Sequence, residues 1–255
     1  MPYYKEINNE IDIFKHAFKN KIPLLLKGPT GCGKSRFVES MAHKLKRPLI
    51  QVACNEETSA VDLQGRYLIQ KGNTIWQDGP ASRAVRNGAI LYLDEISEAR
   101  EDVIVVLHPL ADHRREIYID KTNEIIKAND FFMLVVSYNP GYQSKFKDLK
   151  PSTKQRFIAL QFAYPKPELE KEIIITETNI DEVHAKKLIL FATKLRSLKE
   201  LELLETVSTR LLINTAKLIK SGINTYLACN TGIIQPLTDD LDIQESLKDI
   251  LNLIF

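Results

Sequence analysis

Residues 28–35 read Gly-Pro-Thr-Gly-Cys-Gly-Lys-Ser, the phosphate-binding pattern of a glycine, four free positions and then Gly-Lys-Ser. Each residue type in it suits an anion. Gly28, Gly31 and Gly33 let the backbone turn with its N–H groups inward, and the helix expected to follow presents its positive end. Lys34 adds a full charge at the β- and γ-phosphates of a nucleotide, and the Ser35 hydroxyl suits Mg²⁺. Pro29, Thr30 and Cys32 complete the loop; Cys32 reads as a small side chain that fits, or as an oxidation-sensitive thiol. A second pair of chemical groups, Asp94 and Glu95, closes the apolar run 89–93. In phosphate-loop ATPases the first carboxylate of such a pair holds the Mg²⁺ shell and the second polarises the attacking water. Asn139 ends another apolar run, 131–136, a little beyond its last residue. It is placed to contact a γ-phosphate or its water, or to serve as a turn residue before Pro140. Arg210 stands at a helix start, where an acid would be the better structural choice. It faces a ligand or is a surface arginine.

These groups need strands that end together and helices that follow. Residues 22–26 read as a buried strand feeding the loop, and 36–46 as the helix leaving it. Further strands are expected at 49–54, 89–93, 131–136 and 158–162, which gives a five-stranded parallel sheet with ligands bound beyond its strand ends. Residues 55–66 are polar and turn-prone. Hairpins are expected at 67–76, around Gly72-Asn73, and at 115–126. Helical spacing marks 3–21, 81–87 and 103–111. Beyond 166 the strand signals stop, and 168–178, 181–197, 208–220 and 243–254 have amphipathic helical spacing, punctuated by Ser197, Gly222 and Pro236. The expected division is 1–165 for a nucleotide-binding αβα core and 166–255 for a small all-helical domain.

Composition narrows the class. In 255 residues, 27% are charged and the net charge is +2, so no strong field points to nucleic acid or a membrane surface. No apolar run is long enough to span a bilayer, and the first residues lack an apolar signal segment. The three cysteines, Cys32, Cys54 and Cys229, are unclustered and suit reduced thiols, so a cytoplasmic protein is expected. His16, His43, His108, His113 and His184 make no metal-ligand spacing. Trp76 reads as a packing residue.

Longer phrases carry a resemblance. Residues 26–39, Val-Ala-Cys-Asn-Glu at 52–56, Trp-Gln-Asp-Gly-Pro at 76–80, and 136–144 resemble AAA+ ATPases of the MoxR branch, within it the CbbQ/NirQ/NorQ group. So do Leu-Lys-Pro-Ser-Thr-Lys-Gln-Arg-Phe at 149–157 and Ser-Thr-Arg-Leu-Leu at 208–212. The resemblance runs over essentially the whole chain. It implies an αβα P-loop NTPase (AAA+) fold with a helical lid, ATP and Mg²⁺ as ligands, and ATP hydrolysis. It also implies Gly28 to Ser35 as the nucleotide loop, Ser35 and Asp94 at the metal, and Glu95, Asn139 (sensor 1), Arg156 (arginine finger) and Arg210 (sensor 2) as catalytic. The implied assembly is a homo-hexamer working with a von Willebrand factor A domain adaptor on a client enzyme, either nitric-oxide reductase or rubisco. The wording at 107–116 and 132–139 leans toward nitric-oxide reductase. A nucleotide-gated scaffold with little turnover is the alternative from another class, and a small-molecule kinase is a third reading.

Overall fold

The computed structural model describes residues 2–140, 149–198 and 205–255. Two compact units emerge: residues 1–29 with 34–162, and residues 30–33 with 163–255.

The first unit is built on a five-stranded sheet. Its strands are β1 (Leu24–Lys27), β2 (Leu49–Ala53), β5 (Ile90–Asp94), β8 (Met133–Tyr138) and β9 (Ile158–Gln161), in the order β2-β5-β8-β1-β9, all parallel. The three central strands are apolar along nearly their whole length because helices cover both faces of a parallel sheet. Leu24, Leu25, Leu26, Ile90, Leu91 and Leu93 are fully buried as a result. Around the sheet lie α1 (Glu10–Lys19), α2 (Lys34–Lys44), α3 (Ala60–Gln64), α4 (Pro80–Asn87), α5 (Glu101–Leu107) and α6 (Pro151–Lys154). The five expected strands are all present, displaced by one or two residues at their ends.

The two expected hairpins are antiparallel pairs, β3 (Gly65–Gln70) with β4 (Asn73–Asp78) and β6 (Glu116–Ile119) with β7 (Glu124–Lys127). Trp76 packs edge-on against Tyr67, and its indole N–H donates to Asp78 Oδ1 at 2.8 Å. The polar stretch 55–66 differs from expectation, since it contains α3. Ser59 and Asp62 form a reciprocal capping box that starts this helix without an apolar run to announce it.

The second unit is helical: α7 (Pro167–Thr178), α8 (Glu182–Ser197), α9 (Thr209–Lys220), α10 (Thr225–Cys229), α11 (Gln235–Leu237) and α12 (Leu241–Ile254). Its own core gathers Phe191, Leu188, Leu195, Leu212, Ile233, Leu247 and Leu251. Pro236 does punctuate, since the helix ends one residue after it at Leu237, but the helical run leading up to it from Thr225 was not expected. Pro236 lies within α11, which continues from α10 through a π-helical stretch at Asn230–Ile234. A side chain at Gly232 would come 2.3 Å from Thr215 Oγ1, so this stretch approaches α9 as closely as only glycine permits. Among the described residues no helix is long and apolar enough to cross a membrane.

Candidate functional site

The phosphate loop follows β1 and runs into α2, so backbone N–H groups at the start of that helix face the loop. Gly28 is required by packing: a Cβ there would come 2.5 Å from the carbonyl oxygen of Phe162. Lys34, almost fully buried, donates to Gly28 O at 2.8 Å, Pro29 O at 2.9 Å and Asn139 Oδ1 at 2.6 Å. Its ammonium therefore curls back over the loop.

Parallel pairing brings the ends of β5 and β8 side by side, and the polar residues at these ends meet. Ser35 Oγ donates to Asp94 Oδ2 at 3.1 Å. Tyr92 OH donates to Asp94 Oδ1 at 2.8 Å and lies 3.1 Å from Ser137 Oγ, while Ser137 Oγ donates to the same Asp94 oxygen. Glu95 adopts a left-handed backbone (φ 55°) directly after the strand, uncommon for a residue with a side chain. That turn removes the strict alternation that would send neighbouring strand side chains to opposite faces. Asn139 Nδ2 then donates to Glu95 Oε1 at 3.2 Å. Asn139 thus joins the lysine on one side to the second carboxylate on the other.

Of the residues singled out from sequence, Gly28, Pro29, Lys34, Ser35, Asp94, Glu95 and Asn139 meet here. Thr30, Gly31, Cys32 and Gly33 group with the helical unit. There a Cβ on Gly31 would come 2.7 Å from Ser208 Cβ and 3.2 Å from Arg210 Cβ, so the start of α9 abuts the loop backbone. Arg210 itself is exposed. Arg156 is not in the strand-tip cluster. Its Nη1 donates to Asp112 Oδ2 at 2.9 Å, and Arg114 grips the same carboxylate at 2.7 Å. The two guanidiniums, Arg114 foremost, hold the Asp112 carboxyl well below the usual range. Arg156 Nε is buried with no hydrogen-bond partner among the described residues. The end of the phrase after Asn139, at 141–144, lies outside the described residues.

Sequence reading missed Tyr92 and Ser137. The signals were there: Tyr92 precedes Asp94 by two, which puts both on one face of a strand, and Ser137 is a polar residue following a solid apolar run. Burial, then the charge of Asp94, pushes the Tyr92 hydroxyl far above its ordinary range, so it stays a proton donor. Cys54, whose N–H donates to Asp94 O at 2.9 Å, has its thiol pushed up to about 12 by burial first and then by Asp94 and Glu95. It is an inert thiol rather than a nucleophile.

The donor set fits a hard cation. Ser35 Oγ and Asp94 Oδ2 are oxygens held together by hydroxyl partners, the chemistry Mg²⁺ takes, while Lys34 and the loop backbone fit polyphosphate.

Residues 23–157 match the AAA domain of the dynein-related subfamily, and residues 170–254 match the CbbQ/NirQ/NorQ C-terminal domain. The chain belongs to the CbbQ/NirQ/NorQ family of AAA ATPases. It is 53% identical to protein CbbQ of Hydrogenophilus thermoluteolus over 254 residues, covering 100% of this chain and 95% of that protein. It is 52% identical to protein NorQ of Paracoccus denitrificans, covering 100% and 94%. The denitrification regulatory protein NirQ of Stutzerimonas stutzeri is 50% identical, with 100% and 92% covered. Among solved structures, a mutant RuvB of Thermotoga maritima aligns with TM-score 0.59 at 17% identity, over 96% of this chain and 69% of that one. A putative ATPase from Cytophaga hutchinsonii aligns with TM-score 0.54 at 17% identity, over 97% and 89%. These two likenesses show the fold alone. As a family member the chain is a nucleotide-binding protein and an ATP hydrolase.

Proposed function

We propose that this ATPase hydrolyses Mg²⁺-ATP between neighbouring subunits of a hexameric ring and, with a von Willebrand factor A domain adaptor, uses the cycle to remodel a metabolic enzyme. The observation that carries the proposal is the hydrogen-bonded chain at the strand tips, Lys34–Asn139–Glu95 beside Ser35–Asp94. Lys34 and the loop 28–35 bind the phosphates. Ser35 and Asp94 would hold Mg²⁺, which neutralises charge on the phosphate oxygens. Glu95 orients and polarises the attacking water, and Asn139 keeps its carboxylate in register with the lysine. Tyr92 and Ser137 fix the Asp94 carboxylate by hydrogen bonds to one oxygen.

Arg156 supplies the charge that one subunit lacks. It is the finger offered to a neighbour's nucleotide, stored against Asp112 with one N–H unsatisfied until it is used. Arg210, at the start of α9, is the sensor-2 cation of a helical lid domain formed by 166–255, and 1–165 form the nucleotide-binding core. The client is a metabolic enzyme, with nitric-oxide reductase favoured over rubisco by the wording at 107–116 and 132–139, and the site of action is the cytoplasm.

The test is capture from the native cell with Glu95→Gln, which binds ATP but does not cut it. Co-purification of a von Willebrand factor A domain protein and one metabolic enzyme, with hydrolysis by the normal protein stimulated by that pair, is the expected result. Normal assembly and full client activation by Glu95→Gln would instead make the protein a nucleotide-gated scaffold.

A further inference from the structure

Glu170 in α7 has a side chain only 1% exposed, an unusual place for a carboxylate. Both of its oxygens are used. Arg196 donates through Nη1 to Oε2 at 2.7 Å and through Nη2 to Oε1 at 2.8 Å, and Thr209 Oγ1 donates to Oε1 at 2.6 Å. Arg196 also donates from Nε to Val207 O at 2.9 Å, and its guanidinium sits 4.5 Å from the centre of the Tyr164 ring. Tyr164 OH donates in turn to Thr30 O at 3.0 Å. All these residues belong to the helical unit, which includes 30–33. A continuous set of contacts therefore runs from the phosphate-loop carbonyl of Thr30 to the first residue of α9.

The contact points on α9 are specific. Val207 and Thr209 flank Ser208, the N-cap whose hydroxyl accepts from Leu211 N at 3.2 Å, and Arg210 follows at once. The pair thus grips the helix start on both sides of its cap. Stability alone gives no reason for this arrangement, since a buried ion pair is commonly matched by apolar residues of similar volume. What a planar guanidinium fork adds is direction. It fixes the positions of Val207 O and Thr209 Oγ1, where apolar packing would allow sliding.

We propose that Glu170 and Arg196 are positioning residues for Arg210, holding the start of α9 in register with residues 30–33 of the same unit through Tyr164 and Thr30. The proposal rests on the reading of Arg210 as a nucleotide-facing residue, and the test separates the two. Thr209→Val keeps the side-chain shape and deletes the donor to Glu170. In the full-length assembled protein, steady-state turnover of Mg²⁺-ATP is measured for the normal chain, Thr209→Val, Arg210→Ala and the double variant, with Thr209→Ser as the conservative control.

Thr209→Val is expected to lower kcat roughly 3- to 10-fold, because a small misplacement of a charged group is costly in a transition state. Thr209→Ser should restore turnover to within about 2-fold, since the hydroxyl donor returns. In the Arg210→Ala background Thr209→Val should change nothing further, because the group it positions is gone. If Arg210→Ala is impaired but Thr209→Val costs the same factor in both backgrounds, or if Thr209→Ser fails to restore turnover, the positioning role is overturned while Arg210 keeps its own. If Arg210→Ala turns over ATP normally, the reading of Arg210 falls and the positioning role with it.

Discussion

At the tips of β5 and β8, Asp94 is hydrogen-bonded by the hydroxyls of Ser35, Tyr92 and Ser137, and the exposed Glu95 by the amide of Asn139. In the helical unit, Glu170 is sealed from solvent and answered by a full guanidinium fork and one hydroxyl. The two settings commit their carboxylates differently. Hydroxyl and amide partners fix a carboxylate without neutralising it, so its charge stays available to a cation or a water. A bidentate arginine on a buried carboxylate consumes that charge, and the residue serves geometry instead. Asp112 belongs to the second kind, although nearer the surface: it is held by Arg114 and Arg156 together.

Substitutions at these places should separate the two kinds. Arg156→Ala is expected to keep nucleotide binding and lose about 10³–10⁵ in turnover, the scale of an arginine supplied in trans; normal ATPase in this variant would remove the finger assignment. Glu95→Gln should retain ATP and lose about 10²–10⁴ in rate, the contribution of a positioned base, read by single-turnover hydrolysis. On the structural side, Glu170→Ala leaves the partly buried Arg196 without its counter-charge and should destabilise the helical unit by about 3 kcal/mol, the low end for a broken buried pair, in urea unfolding. Lys34→Ala should weaken ATP binding about 10- to 100-fold through loss of a charge-assisted contact, measured by titration; unchanged affinity would contradict the cradle.

The smallest effect concerns acid. Asp112 has a folded-state value depressed below the ordinary 3.8, first by the Arg114 hydrogen bond. Its stabilising contribution is therefore complete above the ordinary carboxylate range and is lost as pH falls through the depressed value. Asp112→Asn should lower stability near neutrality, where the contribution is complete, and flatten the acid limb, so that the two profiles converge at low pH in urea unfolding followed across pH.

Much of this was legible in the chain. The loop 28–35 and the strand ending in Asp94-Glu95 declare themselves because local sequence alone dictates a turn of glycines and a buried strand. The five-stranded sheet follows from apolar runs of strand length. What stayed hidden depended on contacts between distant residues. Tyr92 drew no notice within its apolar run, because its role rests on β8 setting Ser137 beside Asp94. Helix α3 rests on a four-residue capping box rather than on periodicity. The helical run 225–237 before Pro236 went unread because its π-helical stretch, with Gly232 against Thr215, leaves no periodic trace. The Glu170–Arg196 pair sits in two helices whose amphipathic spacing gave no hint that either charge faces inward.

The central claim is that each active site is completed by a neighbour, and subunit complementation tests it most directly. Glu95→Gln and Arg156→Ala are each expected to be nearly inactive alone. Co-assembled at equal amounts, about one head-to-tail interface in four should pair an intact Glu95 with a neighbour's intact Arg156. ATP hydrolysis should then reappear at roughly that fraction of the normal rate. Mixed assemblies that are verified to contain both variants and still fail to hydrolyse ATP would contradict the account.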